Sequence, residues 1–81
     1  MNNGKILKLR DEIDRIDREI LELLVQRAET SQAIGAVKRA EGLTIYDPGR
    51  EEELIASLCV KRREPLGQDA VRHIYREIIA A

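Results

Sequence analysis

Aromatic residues are nearly missing from this 81-residue chain, which has two tyrosines, no tryptophan and no phenylalanine. Its apolar material is therefore Ile, Leu, Val and Ala, which suits helix packing better than sheet faces and argues against a β-sandwich. A single cysteine excludes an intramolecular disulfide framework and any multi-cysteine metal site. Two prolines and five glycines leave little for long loops. Charge of one sign is also lacking. Fourteen Lys+Arg stand against 15 Asp+Glu, a formal net charge of -1, and binding nucleic acid through bulk phosphate neutralisation needs a clear basic excess. There is no apolar run long enough to span a membrane and no apolar N-terminal stretch of signal-peptide type, so the expected location is the cytoplasm. What remains is 43% hydrophobic and 36% charged, the composition of one helix-rich domain over residues 1–81.

The patterning predicts an all-α fold of three helices, at about 5–40, 48–63 and 68–81. Ile6, Leu9, Ile13, Ile16, Ile20, Leu23, Ile34 and Val37 recur at alternating spacings of three and four, a heptad seam along one long first helix. Asp11 with Arg15 and Asp14 with Arg18 have the spacing of outer-face ion pairs. Gly42 is the expected stop. Asp47-Pro48 then reads as an N-cap followed by proline at the first helical position, with Glu51, Glu52 and Glu53 near the positive helix end. Leu54, Ile55, Leu58 and Cys59 point inward, and Glu64-Pro65 closes the second helix. Gln68 or Asp69 is the expected cap of a third helix whose apolar face is Val71, Ile74, Tyr75, Ile78 and Ile79.

A helix of that length extends about 50 Å at 1.5 Å per residue, whereas a compact monomer of this size is about 30 Å across. Its own chain cannot cover it. The seam calls for a second copy, most simply an isologous dimer of intertwined or antiparallel long helices. The apolar pattern is still running at Ile78 and Ile79, so the third helix reads as unfinished and the chain as a domain cut from a longer polypeptide.

The seam breaks at Arg27 and Thr30. Burying an unpaired guanidinium costs several kcal/mol, so Arg27 needs either an internal carboxylate, such as Glu51 or Glu52, or an anionic ligand. Its neighbours Ala28, Ser31, Ala33, Gly35 and Ala36 are small and leave room for a cavity. Lys38 follows Arg27 by about three turns and points the same way, about 16 Å along the axis, with Ser31 and Ile34 between. Arg10 belongs to the same stripe but lies about 42 Å from Lys38, so one chain cannot bring both to one ligand. An antiparallel dimer can. Singly, Lys38 and Arg10 also read as ordinary surface cations, and Arg50 and Glu51 as ordinary first-turn charges. At the start of the second helix Asp47, Arg50 and Glu51 add a donor fork and an acceptor beside free backbone N–H groups. His73 reads as a helix-surface residue, and Cys59 and Tyr75 as core. The candidate site therefore has fixed cations, one carboxylate and no nucleophile, metal or cofactor motif. Such a polyanion receptor can still catalyse a unimolecular reaction, by holding a flexible dicarboxylate in a reactive conformer and placing positive charge where negative charge develops.

Leu9-Arg10-Asp11-Glu12-Ile13-Asp14, Leu23-Leu24-Val25-Gln26-Arg27, Ile34-Gly35-Ala36-Val37-Lys38 and Tyr46-Asp47-Pro48-Gly49-Arg50-Glu51 together resemble the all-helical chorismate mutase family over nearly the whole chain. The ending Ile74-Tyr75-Arg76-Glu77-Ile78-Ile79 is similar to the mutase domain fused to prephenate dehydratase in bifunctional enzymes. The resemblance implies an intertwined homodimer that rearranges chorismate to prephenate in phenylalanine and tyrosine biosynthesis, without a cofactor. Arg10 from the partner chain and Arg27 would bind the substrate carboxylates, with Arg50 assisting. Lys38 would hydrogen-bond the ether oxygen of the breaking bond. Glu51 and the backbone at Asp47 would receive the ring hydroxyl, and Ile34 and Ile79 would form hydrophobic walls.

In the family the third helix runs further and carries a serine and a glutamine, the latter a second donor to the ether oxygen. Neither position is present here, which implies reduced turnover. Two other readings stay open: isochorismate pyruvate lyase of the same fold, and a non-catalytic anion-binding dimerisation module.

Overall fold

The structure is a computed structural model that describes residues 2–60 and 64–81. Among the described residues it contains three helices and no strand: α1 (Asn2–Ala40), α2 (Pro48–Val60) and α3 (Gln68–Ala80). The expected all-α class holds. α1 begins three residues before the expected start because Asn2, Asn3 and Gly4 carry no apolar position, which leaves the periodicity silent there. The stretch 61–63, expected to finish the second helix, lies outside the described residues. No helix among the described residues is long and apolar enough to cross a membrane.

The chain divides into two compact units, Met1–Ile34 and Gly35–Ala81. In the first, residues 2–34 are helix throughout, and none of them is buried. The seam residues Ile6, Leu9, Ile13, Ile16, Ile20 and Leu23 are 40% to 65% exposed. Arg15 does not take Asp11 as its partner. It pairs with Glu12 one turn earlier and with Glu19 one turn later, the latter at 2.6 Å. Hydrogen bonding to Glu12 first, and then to Glu19, raises the pKa of the guanidinium. Glutamate reaches across a helical turn where the shorter Asp11 does not. The hydroxyl of Thr30, the second polar residue in the seam, donates back to the carbonyl of Gln26 at 2.9 Å, so the helix itself supplies a partner.

The second unit opens on the stop at Gly42. This residue has φ +70°, the Leu43 N–H donates to the Lys38 carbonyl at 2.7 Å, and the Gly42 N–H donates to the Arg39 carbonyl at 3.3 Å. These two bonds form a Schellman motif, whose left-handed position glycine adopts without a Cβ penalty. The start of α2 is equally local. The Asp47 carboxylate accepts from the Arg50 N–H at 3.0 Å and the Asp47 carbonyl accepts from the Glu51 N–H at 3.3 Å, the bonds of an N-cap followed by proline at the first helical position.

α2 and α3 pack on each other around Ile55, Cys59 and Val71, with Leu58, Tyr75 and Ile79 against them. The inward positions of α2 fall as the periodicity requires, since four residues separate Ile55 from Cys59 and place them on one face. Ile74, expected on the inner face of α3, is 45% exposed. The cap of α3 also differs from expectation. Gly67 is the N-cap, with no side-chain cap bond, and Gln68 and Asp69 are already helical. The amide of Gln68 turns instead to the end of α2, donating to the Cys59 carbonyl at 3.1 Å, while the Cys59 thiol faces the Gln68 carbonyl. This exchange ties the start of α3 to the end of the described part of α2.

Candidate active site

In the first unit α1 presents Arg10 and Arg27. Arg10 is exposed and Arg27 half-buried. They stand seventeen positions apart on uninterrupted helix, about 25 Å along the axis. One small dicarboxylate cannot touch both. Ile34, the last residue of this unit, is exposed at 53%.

In the second unit Lys38 is half-buried in the last turn of α1, with its backbone fixed by the Schellman motif. Asp47 spends its carboxylate on the cap of α2, and Arg50 stands exposed at the third helical position. Glu51 is half-buried. Glu51 and Ile79 come together, lining one open depression of about 230 Å³ with Glu52, Ile55, Arg76 and Ala80. Of the residues expected at the site, this pair is brought to one wall. Among the described residues Arg10, Arg27, Lys38 and Arg50 enter no ion pair within 4 Å. Glu52, considered from sequence as a partner for Arg27, is engaged by Arg76 at 3.5 Å.

Arg76 is the residue that sequence reasoning missed. It stands three positions before Ile79, a spacing that places it on the same side of α3, but nothing local distinguishes it from the charged residues around it. Its place beside the depression depends on how α3 meets α2.

The available groups set the chemistry. In each unit two cations, Arg10 and Arg27 in the first and Lys38 and Arg50 in the second, have no ion-pair partner among the described residues, and each is a charged donor suited to an anionic group. Glu51 offers an acceptor in a depression shared by the apolar Ile55 and Ile79 and the charged Glu52 and Arg76. Among the described residues no group of three or more His, Cys, Asp or Glu side chains is placed to hold a metal ion. Cys59 is buried in the α2–α3 core and His73 is exposed on α3. The groups at hand can bind, orient and stabilise charge.

Comparison with known proteins fits this inventory. The sequence profile of chorismate mutase type II matches residues 9–81. The bifunctional chorismate mutase/prephenate dehydratase of Aquifex aeolicus is 44% identical over 81 residues, covering 95% of this chain and 22% of that protein. The intracellular chorismate mutase of Mycobacterium tuberculosis H37Rv is 46% identical over 61 residues, covering 75% of this chain and 53% of that protein. A solved structure of chorismate mutase from Thermus thermophilus (Form I) matches with a TM-score of 0.91 at 41% identity, over 94% of this chain and 95% of that one. The chain thus spans about a fifth of the Aquifex protein and nearly all of the Thermus chain. With the profile match running through α1, α2 and α3, the chain belongs to the chorismate mutase type II family.

Proposed function

We propose that the chain is a chorismate mutase, an isomerase that converts chorismate to prephenate by a Claisen rearrangement, acting as a homodimer without a cofactor. In the reaction a carbon–oxygen bond breaks while a carbon–carbon bond forms within the same molecule. No proton has to move and no covalent intermediate is needed. The work left to the protein is to hold the reactive conformer and to stabilise the charge that gathers on the ether oxygen. Arg27 and the partner's Arg10 bind the two carboxylates, with Arg50 assisting. Lys38 donates to the ether oxygen. Glu51 and the backbone at Asp47 receive the ring hydroxyl, while Ile34 and Ile79 wall the apolar side of the ring. Each charge-assisted hydrogen bond is worth about 1.5 to 3 kcal/mol, and each 1.36 kcal/mol held only in the transition state is tenfold in rate. Two or three such bonds amount to several orders of magnitude.

The observation that carries this reading is the set of cations on an uninterrupted α1 that have no ion-pair partner among the described residues, with Arg10 and Arg27 about 25 Å apart on a helix whose apolar seam is exposed. A second copy laid antiparallel on that seam supplies the missing cation and covers the apolar residues together. The bifunctional relatives support a prephenate dehydratase domain as a fused partner in the parent polypeptide, and the relative named intracellular supports the cytoplasm.

Incubation with chorismate, following loss of its diene absorbance and identifying the product, tests the assignment. Prephenate supports the mutase. Pyruvate released from isochorismate, with chorismate untouched, replaces it with the lyase of the same fold. Binding without turnover of either compound reduces the chain to an anion-binding dimerisation module.

A further inference from the structure

The depression that holds Glu51 and Ile79 carries a charge problem. Glu51 and Glu52 are consecutive on α2, so their side chains leave the helix about 100° apart, yet both line the same depression. A dianionic substrate approaching Glu51 also meets Glu52. Only the first has a role in the reading above, as acceptor for the ring hydroxyl. The second is a like charge near the substrate's path, and it repels.

Arg76 answers this. Its Nη2 lies 3.5 Å from Glu52 Oε1, across from α2 on α3, and it lines the same depression. Both side chains are more than half exposed, at 56% and 61%. A pair so exposed contributes little to stability. Its effect on the local field is not small, because the net charge of the rim changes by a full unit when either partner is removed.

We infer that Arg76 is a specificity determinant of this site, masking the Glu52 carboxylate so that Glu51 alone presents negative charge to a dicarboxylate substrate. The inference rests on the proposed mutase reading for the identity of the dianion. Two unit charges about 6 Å apart in water interact by an amount equal to about a threefold change in affinity, and counting the second carboxylate brings this to about eightfold.

The sign of the effect separates masking from a mechanical tether between α2 and α3. Under masking, Arg76→Ala exposes the Glu52 charge and raises KM about three- to eightfold at low ionic strength. Glu52→Gln leaves Arg76 unopposed and lowers KM. The double variant returns close to the parent, and salt approaching 1 M, where the Debye length is about 3 Å, erases the differences. A tether predicts that both single changes act in the same direction and that the double variant does no better. That result overturns the inference, as does a KM for Arg76→Ala equal to the parent's at low salt. The binding of prephenate, measured by calorimetry on the same variants, follows the same order of signs. A parent chain that turns chorismate over while its variants break this order refutes the masking role alone. A parent chain that neither turns over chorismate nor binds prephenate overturns both proposals.

Discussion

A mixing experiment tests the proposed dependence of the site on two chains. Arg10 and Arg27 stand seventeen positions apart on continuous helix, about 25 Å, so a site that uses both must take them from different copies. Arg10→Ala removes an exposed guanidinium, and Arg27→Gln removes a half-buried charge while keeping most of the side-chain volume. Each variant alone should lose about 10²- to 10³-fold in kcat/KM, the scale of losing one preorganised charged donor. The two are then unfolded together in equal amounts and refolded. Random pairing makes half of the dimers mixed, and in each mixed dimer one of the two sites receives Arg10 from one chain and Arg27 from the other, both intact. Recovered activity should be about a quarter of the wild-type value per site, far above either variant alone. Ion-exchange separation of the mixed dimer, which should show about half of wild-type activity, removes the statistical factor. If the site were built within one chain, every site would lack one arginine. Verified mixed dimers with no more activity than the parent variants would refute the shared site.

Lys38→Ala should lower kcat more than it raises KM, by about 10²-fold or more, because the donor to the ether oxygen acts on charge that develops in the transition state; steady-state kinetics with unchanged turnover would remove Lys38 from its role. Asp47→Ala should cost about 1 kcal/mol, the usual worth of an N-cap whose carboxylate accepts the Arg50 N–H at 3.0 Å, and Asp47→Asn should cost less. Urea denaturation reads both, and an alanine variant as stable as the parent contradicts the cap. Ile55→Ala should cost about 2 to 5 kcal/mol, since this side chain is 1% exposed and central to the α2–α3 core. A loss below about 1 kcal/mol in the same measurement would mean that the helix pair does not pack as described.

How far the sequence can be read follows the range of the interactions involved. The stop at Gly42 and the start at Asp47-Pro48 are legible because the residue types and the bonds they make lie within a few positions of each other. The heptad spacing locates α1 for the same reason. Gln68 reads as a cap from sequence, whereas its side chain serves a carbonyl nine residues back, on the preceding helix. No local rule records that bond. Arg15 draws the wrong acid from spacing alone because Glu12, Asp11 and Glu19 all lie within reach on paper, and the choice is made by side-chain length. Arg76 escapes notice because only the approach of α3 to α2 gives it Glu52 and a place beside Glu51. Of the cations that match the family motif, Arg27 stands out for the opposite reason. Arg27 interrupts an apolar seam, and an interruption is visible in the sequence itself.

That seam also decides what folds. Among the described residues only Ile55, Cys59 and Val71 form a buried apolar core, and all three belong to the α2–α3 pair. The larger apolar reserve lies on α1, where Ile6, Leu9, Ile13, Ile16, Ile20 and Leu23 stay 40% to 65% exposed in the single chain. In the proposed homodimer a second copy brings the same seam to that face and covers it. If dimer formation and folding are one event, the unfolding midpoint depends on concentration by mass action. A tenfold dilution removes about 1.4 kcal/mol from the dimer, which at about 2.1 cal/mol/K of unfolding entropy per residue over two chains lowers Tm by about 4 °C. Scanning calorimetry across a hundredfold range of protein concentration should therefore move the midpoint by about 8 °C. A midpoint that stays fixed, together with a monomeric mass in sedimentation, would show that one chain buries its own seam and would remove the basis for Arg10 acting across the interface.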